Sequence, residues 1–449
     1  MTTFWCEHAW VPFDGVASGV VVEADDGGRI TSVSRSATAP SGAHVLRGMV
    51  FPGFANVHSH AFHRALRGRT HADGGTFWTW RQGMYELASR LDPDNYLRLA
   101  TAVYAEMAVA GVTVVGEFHY VHHAPGGVRY AEPNAMGEAV REAALAAGMR
   151  MTLLDTCYLT GGIDTPASRS LRSDHRTLSP EQQRFSDGSV EAWAERAQPR
   201  YDRRFTRVGA AIHSVRAVPR SAIAAVASIV EGRPLHVHVS EQPAENEACQ
   251  AAYGLTPVRL LAESGALGPS TTAVHATHLS DEDIATLGSS HTAVCFCPTT
   301  EADLADGIGP ARDLVDAGAP LSLGSDQHAI VDPLAEARAL EHGERLRTRQ
   351  RGRFAPDELV TALTSAGNAA LGWPDAGTIR VGAPADLTAV RLDSVRTAGC
   401  RPEQVLYAAT ASDVHTVVSN GVVVAENGHH ARLGDVGRLL SEAIEELWA

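Results

Sequence analysis

From Val50 onward one unit recurs: a short β-branched, apolar run, then an alanine-rich stretch of helical period. Parallel strands joined by crossover helices produce this pattern. It predicts strands at 50–57, 113–118, 150–156, 207–212, 235–239, 271–275, 292–296 and 320–324. Helices are expected between them, for example at 96–110, 134–147, 221–230, 257–264, 281–287 and 311–317. Several are entered through Ser, Asp or Asn caps and left through glycine. Eight such repeats over about 320 residues predict an α/β fold, a (β/α)8 TIM barrel with insertions, rather than an open doubly wound sheet. The stretch 160–189 fits neither period and is read as a loop over the functional face.

Both ends of the chain have a β pattern. Gly19 to Glu23 precedes the turn signal Asp25-Asp-Gly-Gly28; after an expected helix at 356–371, the runs 377–390 and 415–425 enclose the hairpin signal Asn420-Gly421. The expected organisation is a small β-sandwich from both termini, 1–49 and 377–449, beside a barrel over 50–376.

All 38 basic residues are arginine, because the chain of 449 residues contains no lysine. That excludes a P-loop, a Schiff-base enzyme and pyridoxal-phosphate chemistry, which all need a lysine amine. The net charge of −14, without a long basic run, argues against a nucleic-acid partner. Cys6, Cys157, Cys249, Cys295, Cys297 and Cys400 show no ladder spacing; Cys295 and Cys297 alternate within an apolar run. Buried free thiols in a reducing compartment are expected. MTTFWCEHAW contains no basic leader, and no run of 18 apolar residues occurs, so a cytoplasmic protein without a membrane partner is expected.

Chemistry enters at the strand ends. His58-Ser-His60 closes the first strand, and imidazoles at i and i+2 project to one side of an extended chain. His238 closes the fifth, His275 the sixth and Asp326 the eighth. A barrel gathers such groups on the face formed by the C-terminal ends of its strands. Three imidazoles and a carboxylate suit Zn2+, with Fe2+ or Mn2+ also possible. His236 and His238 share a face and differ only in depth, so the pattern separates them weakly.

Together with Phe51-Pro-Gly-Phe54 and Ala383-Pro-Ala-Asp-Leu387, this set resembles the amidohydrolase superfamily over almost the whole chain. The resemblance implies a distorted (β/α)8 barrel with a β-sandwich from both ends. Many members hold two metals bridged by a carbamylated lysine; a chain without lysine points to the mononuclear branch, with one cation held by His58, His60, His238 and Asp326. That branch includes deaminases, and His238-Val-Ser-Glu241 is similar to their His-x-x-Glu signature. The implied roles are proton delivery to nitrogen by Glu241, proton acceptance from water by Asp326, and orientation of the attacking oxygen by His275.

Four segments, His58-Ser-His-Ala-Phe62, Phe77-Trp-Thr-Trp-Arg-Gln-Gly-Met-Tyr85, Glu117-Phe-His-Tyr-Val-His-His123 and His213-Ser-Val-Arg216, resemble the formimidoylglutamate deiminases of histidine degradation. The implied reaction hydrolyses N-formimino-L-glutamate to N-formyl-L-glutamate and ammonia, in a homodimer. A substrate with two carboxylates suits guanidinium forks, which Arg81 and Arg216 supply. Tyr120 and His213 resemble further substrate contacts. His63 stands where these deiminases usually carry glutamine, a departure at one contact. The alternative is a guanine or S-adenosylhomocysteine-type aminohydrolase, which would share the metal residues without needing paired arginines.

Overall fold

Eight parallel strands form the centre of the computed structural model, which describes residues 1–12, 15–71, 75–164, 175–198, 204–230 and 232–449. They are Phe54–Ser59, Val112–His119, Arg150–Cys157, Thr206–Ile212, Leu235–Val239, Thr271–His275, Ala293–Phe296 and Leu321–Leu323, each hydrogen-bonded to the next in chain order. The barrel closes where the eighth strand returns to the first: His58 O accepts from Ser325 N (3.1 Å) and Asp326 N (2.9 Å), and His60 N donates to Asp326 O (3.1 Å). The seam of the cylinder therefore passes through three of the four expected metal ligands. A Cβ on Gly324 would lie 2.8–2.9 Å from the N, O and Cβ of His58, so only glycine lets the strands approach this closely.

Around the strands stand helices that include Pro93–Val109, Ala135–Ala146, Arg220–Ile229, Pro257–Glu263, Asp281–Ser289 and Ala311–Asp316. Asp92, Thr256 and Ser280 cap three of them by accepting the backbone N–H of the third helical residue. Both chain ends build a second, mixed sheet. His44–Pro52 pairs antiparallel with Leu387–Val390, joining the N-terminal strands to the C-terminal ones around a core that includes Phe4, Val22, Leu46, Leu387 and Val418. Asn420 and Gly421 take positive φ between Val414–Ser419 and Val422–Glu426, forming the expected hairpin. Cys6, Cys157, Cys249, Cys295 and Cys297 are free and buried, and Cys400 is free and partly exposed. Among the described residues no helix is long and apolar enough to cross a membrane.

Three elements differ from the sequence pattern. The single strand expected at 50–57 is two, one in each sheet, divided at Gly53. Its N–H donates to Asp386 O (2.9 Å), and a Cβ there would meet Thr113 Oγ1 at 2.3 Å. Both halves are buried, so an apolar run hides the break. The helix expected at 356–371 is two, Pro356–Leu363 and Ser365–Ala370, separated at Thr364 (φ −124°, ψ −95°). Val436–Trp448 is a helix within the region read as β: Val436, Leu440, Ala443 and Leu447 join the core that also buries Pro93–Val109, and Trp448 Nε1 donates to Ala65 O (3.1 Å).

Because the added methyl group must displace His58, Gly324→Ala is expected to destabilise the fold by about 1–3 kcal/mol and to weaken metal binding. Thermal melts with and without added Zn2+ check this; an unchanged melting temperature and full metal content would contradict the seam argument.

Candidate metal centre

Four side chains from three strand ends meet at this seam. Ser59, between His58 and His60, points the other way, and its hydroxyl donates to Glu117 Oε2 (2.7 Å). The Ala61 N–H donates to Glu117 Oε1 (2.8 Å), so one buried carboxylate holds the turn that presents both imidazoles. Burial pushes the Glu117 carboxyl up to about 7, against those hydrogen bonds. Asp326 has φ +43°, and Ser240, His275, Ala276 and His328 also have positive φ at or near strand ends. Strain concentrated where side chains must converge is a mark of a functional site.

The tautomers follow from the second nitrogens. His60 Nδ1 donates to Phe118 O (2.9 Å) and His238 Nδ1 donates to His213 O (2.9 Å), so each neutral ring keeps its lone pair on Nε2. Those two Nε2 atoms face each other at 3.4 Å, and His238 Nε2 is 3.0 Å from His58 Nε2. Asp326 Oδ1 lies 3.3 Å from His58 Nε2 and 3.4 Å from His60 Nε2. The Nε2 lone pairs of His60 and His238 repel at this distance unless a cation lies between them. Separations of 3.0–3.4 Å leave room for an ion about 2 Å from each donor, the usual length of zinc bonds to nitrogen and oxygen. Burial lowers the pKa of His58, His60 and His238, that of His60 to about 3, so the rings stay neutral as ligands must be. Burial works against the Asp326 carboxylate, but His58, His275 and His60 hold its pKa well below the usual range.

His275 stands apart from the four. Its Nε2 is 3.8 Å from Asp326 Oδ2 and 3.9 Å from Glu241 Oε1, and Nδ1 is 3.4 Å from Glu301 Oε1. Burial opposes its protonation, yet Glu241, Glu301 and Asp326 raise its pKa well above the ordinary histidine value. His236 lies deeper in the barrel and donates through Nε2 to Ala370 O (3.3 Å), away from the cluster.

A cavity of about 270 Å³ opens over the cluster. His63, Arg81, Tyr120, His213 and Arg216 line it with His60, His238, Glu241, His275 and Asp326; His58 is fully buried and does not. His63 Nε2 is 2.9 Å from the Tyr120 hydroxyl, and the Arg81 guanidinium lies 5.3 Å from the centre of the Tyr85 ring. Thr160, Ile163, Arg176 and Phe185 place parts of the expected 160–189 loop on the cavity wall; residues 165–174 lie outside the described residues, as do the side chains of Phe77 and Trp78.

Glu245 and Glu301 are the residues that sequence reasoning missed. Glu245 Oε1 accepts the N–H of Ser240 (3.0 Å), and its Oε2 lies 2.7 Å from Arg216 Nε. It thereby fixes both the strained residue before Glu241 and the guanidinium beside it. Arg216 NH2 is also 3.3 Å from Glu241 Oε2. The Pro243–Tyr253 helix carries Glu245, and only its spacing of four from Glu241 hinted at a shared site.

The model of the amidohydrolase family matches residues 49–424. A formimidoylglutamate deiminase of Pseudomonas aeruginosa is 35% identical to this chain over an alignment of 466 positions, covering 100% of both proteins. An 8-oxoguanine deaminase of the same organism is 32% identical over 399 residues, covering 85% of this chain and 84% of that one. Among solved structures, an adenosine deaminase from Xanthomonas campestris with bound zinc is similar in fold, with a TM-score of 0.81 at 22% identity, over 100% of this chain and 97% of that one.

Because the Nε2 lone pairs of His60 and His238 face each other with no hydrogen between them, the purified protein is expected to carry a divalent cation and to melt at a higher temperature with it than after chelation. His238→Ala should lose the ion in elemental analysis; full metal content in that variant would contradict the assignment.

Proposed function

The chain belongs to the amidohydrolase family, and on that premise we propose that it is a zinc-dependent deiminase converting N-formimino-L-glutamate and water to N-formyl-L-glutamate and ammonia. The observation carrying this reading is that Arg81 and Arg216 line the same cavity as the metal cluster and Glu241. A substrate bearing two carboxylates and one hydrolysable C=N group matches two guanidinium groups beside a hydrolytic centre. The relationship to the Pseudomonas aeruginosa deiminase supports it.

His58, His60, His238 and Asp326 would hold the cation, whose bound state supplies Lewis acidity that lowers the pKa of water. Asp326 accepts one proton from the attacking water through Oδ2, the oxygen turned away from His58 and His60. Glu241 delivers a proton to the imino nitrogen, and the Nε2 of His275, between Glu241 and Asp326, steadies the charge developing on oxygen. The new C–O bond forms as the carbon–nitrogen double bond opens. The proton held by Asp326 then passes to the same nitrogen, the C–N bond breaks as the carbon–oxygen double bond forms, ammonia leaves, and the remaining hydroxyl proton restores Glu241. Glu245, paired to Arg216, pre-sets the guanidinium for a carboxylate.

A second reading, an aminohydrolase of purine type, rests on the 8-oxoguanine deaminase match. Ammonia release from N-formimino-L-glutamate, N-formimino-L-aspartate, guanine and S-adenosylhomocysteine separates the two: the glutamate derivative should be preferred, and turnover confined to a purine would overturn the proposal. On the preferred substrate, Glu241→Gln should retain its metal while kcat falls by about 10²–10⁴; a fully active variant would remove the proton-delivery role. Arg81→Met and Arg216→Met should each raise KM by about 10–100-fold, the loss of a charged hydrogen-bond partner. Unchanged KM in both would contradict carboxylate recognition.

A further inference from the structure

A second group of metal-ligating side chains shares one wall with the first. Asp326 turns its two oxygens in different directions: Oδ1 faces His58 and His60 at 3.3 and 3.4 Å, and Oδ2 faces His275 Nε2 at 3.8 Å. Cys297 follows the seventh strand, Ala293–Phe296, and completes a set in which one donor atom each from His275, Cys297 and Asp326 lies within 4.8 Å of the others. All three residues are buried. Glu301 holds two of them, its Oε1 accepting from His275 Nδ1 (3.4 Å) and from the Cys297 backbone N–H (2.8 Å). With Nδ1 committed, Nε2 is the nitrogen that would meet an ion, once the ion displaces its proton. His275 and Asp326 line the cavity, so an ion that enters the mouth reaches them directly.

One nitrogen, one sulfur and one carboxylate oxygen make a donor set for a borderline or soft divalent cation, whereas the first group contains no sulfur. We propose that His275, Cys297 and Asp326 Oδ2 form a second, weaker site for a thiophilic divalent cation, Cd2+ or Zn2+ in excess, and that filling it inhibits hydrolysis. The thiol proton and the Nε2 proton of the His275 ring both leave to solvent as the sulfur–metal and nitrogen–metal bonds form, and no electrons are transferred. Three protein donors against four, with Asp326 shared between two ions, make this site the weaker one. Inhibition follows because the ion occupies the His275 nitrogen and the Asp326 oxygen used on the attacking water. This last step rests on the proposed function; the binding step does not.

The test titrates Cd2+ into protein carrying one Zn2+, following the ultraviolet thiolate-to-cadmium band and the metal content after gel filtration. A second equivalent should bind with a thiolate band. The band should disappear in Cys297→Ala and in the near-isosteric Cys297→Ser, each still holding its first ion, and persist in Cys400→Ala. Wild-type turnover of whichever substrate it accepts should fall at least tenfold as the band saturates, while Cys297→Ala keeps its own starting rate. No band beyond the first equivalent, or a band that survives both Cys297 substitutions, overturns the site. A saturated band with undiminished turnover overturns the inhibition. Since the band needs no substrate, failure of the substrate assignment leaves this outcome readable.

Discussion

Repulsion between lone pairs organises this molecule. Two histidines have committed their Nδ1 hydrogens to the carbonyls of Phe118 and His213, and their Nε2 atoms then face each other with no proton between them. Such a contact, buried in the wall of a barrel, is unfavourable until a cation fills it. The closing seam runs through three of the four donors: the His58 carbonyl accepts from the Ser325 and Asp326 N–H groups, and the His60 N–H donates to the Asp326 carbonyl. Closing the cylinder therefore brings His58, His60 and Asp326 together, and Gly324 is the residue that permits the approach.

Charge around the cluster is arranged in pairs that each have a task. Glu241 divides its oxygens between His275 and Arg216, Glu245 between Ser240 and Arg216, and Glu301 fixes His275 together with the Cys297 backbone. These carboxylates hold His275, Arg216 and Ser240 in place before any ligand arrives, which is how a site avoids reorganising during a reaction. His63 meets Tyr120 on the cavity wall.

Much of this was legible in the residues, for physical reasons. The barrel strands are short apolar runs punctuated by glycine, proline or caps, so their positions emerged to within a few residues. The i, i+2 spacing of His58 and His60 fixed a shared side without any tertiary information. Depth was not legible: His236 and His238 alternate onto one face, and only the barrel shows that His236 meets the Ala370 carbonyl instead of the cluster. Nor were Glu245 and Glu301, whose partners come from other elements, or the break at Gly53, where burial on both sides of the bend conceals a change of sheet. The helix Val436–Trp448 has a clear apolar stripe of its own, and the β-rich context before it drew it into the wrong class.

The most direct test of the account is zinc-edge X-ray absorption on the isolated protein carrying one equivalent of metal. The geometry predicts a single ion surrounded by imidazole nitrogen and carboxylate oxygen at about 2.0–2.2 Å, without sulfur. Sulfur scattering at one equivalent, or a fully hydrated ion without imidazole signal, would contradict the claim that His58, His60, His238 and Asp326 form the principal metal site.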